Sequence, residues 1–91
     1  MARSEVLDLV KDLIVANSSY AKHQIRESDE LTRFMPSSRK NIFGSQIADE
    51  FANVPVNELR SKLFSSIKTV KSLADYVWDK EEPEQEGNMI A

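Results

Sequence analysis

Phe34-Met35-Pro36-Ser37-Ser38-Arg39-Lys40-Asn41-Ile42-Phe43-Gly44-Ser45-Gln46-Ile47-Ala48-Asp49-Glu50-Phe51 opens as a proline turn and continues as an amphipathic segment. Phe43, Ile47 and Phe51 recur every fourth residue, and Ile42 and Ala48 widen the apolar stripe. The spacing predicts a helix that begins at Ser37 or Ser38. Gly44 inside it costs roughly 1 kcal/mol relative to alanine, so it is expected to mark a close approach by another element. A serine in the first turn has two readings. Its oxygen can cap the helix, a role worth ~1 kcal/mol. It can also hold an anionic group, because unpaired amide N–H groups and the positive end of the helix dipole stabilise negative charge there.

Outward from this segment the apolar residues keep helical spacing. Val6, Leu9, Val10 and Leu13 fall at i, i+3, i+4 and i+7, with Ser4 as the expected N-cap and Glu5 and Asp8 near the positive helix end. Asn17-Ser18-Ser19 stops this first helix. Residues 20–35 then form a long, mostly polar connection, pinned by Tyr20, Ile25, Leu31 and Phe34; a loop of that length is often functional. Asn53-Val54-Pro55 ends the second helix. Asn57 is the expected cap of a short third helix with Leu59, Leu63 and Phe64. Thr69 is the expected cap of a fourth, with Val70, Leu73, Ala74 and Val77. The fold class that follows is all-α, a four-helix bundle over residues 1–80. Residues 81–91, rich in Glu with Pro83 and Gly87, read as an acidic disordered tail.

Composition narrows the chemistry. The 91 residues suit one domain with a modest core. A formal net charge of −3 argues against nucleic-acid binding, and no apolar stretch is long enough to span a bilayer, so a cytoplasmic protein is expected. Cysteine is absent, which excludes thiolate metal sites and a cysteine nucleophile. His23 is the single histidine and has no companions at metal spacing; an ion pair with Glu27 at i+4 is the simpler reading. Glu27, Asp29 and Glu30 read as a solvated run. Phe43, Phe51 and Phe64 read as core, and Trp78 as packing on the core edge.

This order of elements resembles the acyl carrier and peptidyl carrier family, over roughly Glu5 to Trp78. That family has a long first helix, a long loop, a second helix begun by a modified serine, a short third helix and a closing helix. Counting back from Phe51 and Pro55 as the landmarks that end its second helix places the family's serine on Ser37. Thr69-Val70, Leu73-Ala74 and Tyr76-Val77 look like its closing pattern, and Leu63-Phe64 is similar to the short helix of polyketide-synthase carriers. Pro36 stands where the family has aspartate and Ser38 where it has leucine.

The resemblance implies a non-catalytic carrier with 4′-phosphopantetheine on Ser37, Ser38 being the alternative. Met35, Arg39, Lys40, Ile42 and Phe43 would surround the arm or form the docking face. The implied partners are a phosphopantetheinyl transferase and acyl-processing enzymes of polyketide, fatty-acid or related biosynthesis, met by a monomer. No metal is implied. The alternative is a cofactor-free helical module that binds another protein.

Overall fold

Val6, Val10 and Ile14 stand one helical turn apart on α1 (Arg3–Ala16), and all three are fully buried. Their stripe sets the axis on which the remaining elements pack in the computed structural model, which describes residues 2–81. Three further helices follow: α2 (Lys40–Glu50), α3 (Val56–Leu63) and α4 (Val70–Glu81). α1 packs on α4 and α2, and α2 packs on α3. The all-α four-helix bundle with a long first connection and a short third helix is therefore the observed architecture. Glu81, expected to begin the acidic tail, is instead the last residue of α4, and the rest of that expected tail, residues 82–91, lies outside the described residues.

The core joins the helices to the first connection. Phe43 and Ile47 of α2, Leu59 and Leu63 of α3, and Val70, Leu73, Ala74 and Val77 of α4 meet the α1 stripe. Ile25, Leu31, Phe34 and Met35 enter the same core from the connection, and Tyr20 meets Phe34 edge-on with ring centroids 5.0 Å apart. Three single turns of 3-10 helix organise that connection: Lys22–Gln24, Leu31–Arg33 and Ser37–Arg39. It is anchored as well as buried. Leu31 donates its N–H to the Lys68 carbonyl at 2.8 Å; Val70 and Lys71 donate theirs to the carbonyls of Asp29 and Glu27 at 3.0 and 2.9 Å. These last two bonds satisfy amides that the first turn of α4 leaves without a helical partner.

Several helix starts differ from expectation. Ala2, not Ser4, occupies the N-cap position of α1, because the Glu5 carboxylate accepts the Ala2 N–H at 3.0 Å. Pro55, not Asn57, precedes α3. Thr69 does cap α4: its Oγ1 accepts the Ser72 N–H at 3.1 Å, and Ser72 Oγ accepts the Thr69 N–H at 3.1 Å. Phe64 and Trp78, expected to pack, are 52% and 38% exposed. The carboxylates of the connection are not a free run either. Glu27 pairs with Arg3 at 2.6 Å instead of with His23, and Asp29 pairs with Arg33 at 2.9 Å.

Candidate functional site: the turn that opens the second helix

Pro36 holds the extended backbone of an N-cap residue (φ −71°, ψ 161°) and thereby sets the direction in which α2 begins. Ser37, Ser38 and Arg39 form one 3-10 turn that runs directly into α2 at Lys40. The expected serine cap is absent. Pro36 takes the cap position, and no side-chain cap bond forms. Ser37 and Ser38 are both exposed, and among the described residues neither hydroxyl has a hydrogen-bond partner inside the protein. Their amides have no backbone acceptor there either, whereas the Arg39 N–H reaches the Pro36 carbonyl at 3.0 Å. Two free donors and two free hydroxyls thus meet solvent at the head of the second helix.

The turn is fixed from the α1 side. Arg39 Nε donates to Asn17 Oδ1 at 3.1 Å, and Asn17 Nδ2 donates to the Leu13 carbonyl at 2.8 Å and to Gln46 Oε1 at 2.6 Å. Asn17 therefore ties the end of α1 to both the serine-bearing turn and the middle of α2. Gly44 lets α3 approach from the other side: a Cβ there would lie 3.2 Å from Arg60 Cγ and 3.3 Å from Leu63 Cδ1. Close approach was the expected reason for this glycine, and the geometry bears it out. Arg60 continues across the same interface and donates from Nη2 to Ser45 Oγ.

The proposed docking residues separate into two groups. Ile42 (49% exposed) and Arg39 share the surface with the serines. Met35, Lys40 and Phe43 do not, and the docking role expected for them is corrected. Met35 and Phe43 belong to the core, 2% and 0% exposed, because Met35 closes the turn from Leu31 and Phe43 lies on the Ile47 stripe. Lys40 is buried because its stem runs toward α3, where Nζ donates to the Leu63 carbonyl at 2.8 Å and lies 5.5 Å from the centre of the Phe64 ring. An ammonium at the negative end of a helix, over an aromatic face, is doubly stabilised.

Beside Lys40 opens a groove of about 230 Å³, lined by Glu30, Thr32, Lys40, Leu63, Phe64 and Lys68. Sequence reasoning missed it. The available signal was that Phe64 falls off the Leu59–Leu63 stripe and so cannot share its buried face. Elsewhere His23 lines a polar groove with Gln24, Arg26, Ser28, Asp29 and Arg33. No group of three or more His, Cys, Asp or Glu side chains among the described residues is placed to hold a metal. No helix among them is long and apolar enough to cross a membrane. No protein-family model matches the sequence, and no curated protein or solved structure matches it.

Proposed function

We propose that this chain is a carrier protein that bears 4′-phosphopantetheine on Ser37, with Ser38 as the alternative point of attachment. The observation that carries the reading is the exposed Ser37 hydroxyl, uncommitted to capping, at the head of the second of four helices. The residues present fit such a group. A phosphodiester on Ser37 would meet the free amides of the first turn and the positive end of the α2 dipole, with Arg39 two residues away. Attachment forms the Oγ–phosphorus bond of Ser37 and breaks the pyrophosphate of coenzyme A. Adenosine 3′,5′-bisphosphate leaves and the serine proton is lost to the transferase or solvent. When bound, the group supplies a terminal thiol that holds acyl cargo as a thioester, chemistry this cysteine-free chain cannot provide itself.

In this reading the protein positions cargo and is recognised, while catalysis belongs to a phosphopantetheinyl transferase and acyl-processing enzymes of polyketide, fatty-acid or related biosynthesis. It acts as a cytoplasmic monomer. Arg39 and Ile42 are its docking residues on α2. The second reading, a cofactor-free interaction module, is favoured by Pro36 directly before Ser37 and by the half-exposed Phe64. Intact mass separates them. The chain is incubated with coenzyme A and a broad-specificity phosphopantetheinyl transferase, alongside Ser37→Ala and Ser38→Ala. The expected result is a phosphopantetheine increment lost only in Ser37→Ala. An unchanged mass with several such transferases favours the cofactor-free module.

A further inference from the structure

We infer that Asn17, at the end of α1, is a positioning residue for Ser37: through Arg39 it holds the serine-bearing turn in the conformation that a phosphopantetheinyl transferase takes up. The inference rests on the carrier reading above and adds to it a residue that lies outside the second helix.

The turn has little else to hold it. Its backbone closes with the Arg39 N–H on the Pro36 carbonyl at 3.0 Å and the Lys40 N–H on the Ser37 carbonyl. A single turn of 3-10 helix has poorer hydrogen-bond geometry than an α-helix. No side-chain cap bond forms, and Ser37, Ser38 and Arg39 are all exposed. Among the described residues, one side-chain hydrogen bond ties residues 37–39 to the rest of the fold. It runs from Arg39 Nε to Asn17 Oδ1 at 3.1 Å.

Asn17 is suited to that role because its own amide is fixed. The residue is half-buried where α1 ends. Its Nδ2 donates to the Leu13 carbonyl at 2.8 Å, within its own helix, and to Gln46 Oε1 at 2.6 Å, in the middle of α2. With both amide hydrogens spent, the plane of the side chain is set and Oδ1 is left aimed at Arg39. Removing Asn17 leaves Arg39 without an acceptor, and the turn then spends part of its time open. A transferase that takes up only the closed turn has its apparent affinity lowered by the fraction closed. The Ser37 hydroxyl itself is unchanged, so the chemical step keeps its rate once the closed turn is bound. The signature of the role is therefore a raised KM with kcat unaltered.

The test follows phosphopantetheine transfer from coenzyme A to the full chain by intact mass, with a broad-specificity transferase, and amide hydrogen exchange without it. Three variants separate the bonds. Asn17→Leu removes all three, Asn17→Asp keeps the acceptor for Arg39 without the donors, and Gln46→Met removes only the tie to the middle of α2. Asn17→Leu is expected to raise KM for the chain roughly fivefold with kcat unchanged, and to speed exchange of the Arg39 and Lys40 amides. Asn17→Asp and Gln46→Met are expected to keep the original KM and exchange rates. The inference is overturned by unchanged KM or unchanged exchange in Asn17→Leu, or by a fall in kcat in place of the rise in KM. It is also overturned if Asn17→Asp or Gln46→Met is impaired as much as Asn17→Leu, which would make the effect one of general stability. Failure of the carrier reading looks different: the unaltered chain gains no mass with several transferases, and the inference falls with it.

Discussion

Lys40 and Arg39 are adjacent cations with different environments, and the difference is set by what each can reach. Arg39 lies on the surface with one neutral acceptor, Asn17 Oδ1. Lys40 faces α3, where the terminal carbonyl of Leu63 and the ring of Phe64 stabilise its charge. Removing the ammonium while keeping the stem, as in Lys40→Met, deprives a buried carbonyl of its donor. Unfolding free energy measured in urea is expected to fall by about 1–3 kcal/mol. Arg39→Met should change it by no more than ~0.5 kcal/mol, as usual at an exposed position. Equal effects of the two changes would show that the buried bond contributes nothing. The exposure of Ile42, read as widening the apolar stripe, was expected only from the family resemblance. The burial of Lys40 was not legible, because its acceptor is a backbone atom 23 residues away that no local pattern reveals.

Elements were legible in proportion to how locally they are stabilised. The α1, α2 and α4 stripes follow from spacing alone, since burying one face of a helix needs only periodic apolar residues. Helix starts were harder. Thr69 was identified correctly because Thr69 and Ser72 cap each other across three residues. Ser4 and Asn57 are good caps in isolation, but Glu5 reaching back to Ala2, and Pro55, set earlier starts. Gly44 is the element-scale device that brings α2 against α3. Gly44→Ala gains roughly 1 kcal/mol of helix propensity but pushes on Leu63, which is fully buried and cannot yield without cost. The expected net change is a loss of about 1 kcal/mol by thermal or urea unfolding. A stabilised Gly44→Ala would mean that α3 can retreat freely and that the glycine is not required for packing.

The whole molecule is closed by contacts between distant segments, and one of them makes its stability depend on pH. Tyr76 of α4 donates its hydroxyl to Glu58 Oε1 of α3 at 2.7 Å, and Lys80 approaches the same carboxylate at 3.3 Å. Burial, then the neighbouring carboxylate, holds the Tyr76 hydroxyl far above its ordinary value of 10.0. Its contribution is complete below that pH and is lost above it, where the unfolded chain releases the proton first. The bond from Tyr76, then Lys80, holds Glu58 below its ordinary 4.5, so that contribution is present above pH 4.5 and lost as pH falls further. Tyr76→Phe should flatten the alkaline loss of stability, read as urea midpoints across pH. Parallel curves for the two proteins above pH 10 would remove this linkage.

By itself the sequence determined four helices, their buried stripes and a serine turn at the head of α2, because each follows from interactions within a few residues. Only the tertiary structure decided that Pro36 and not a serine takes the cap position, that loop carbonyls complete the first turn of α4, and that Lys40 lies beneath Phe64. Those outcomes depend on which backbone donors and acceptors are brought together in space, and residue spacing along the chain carries no information about them.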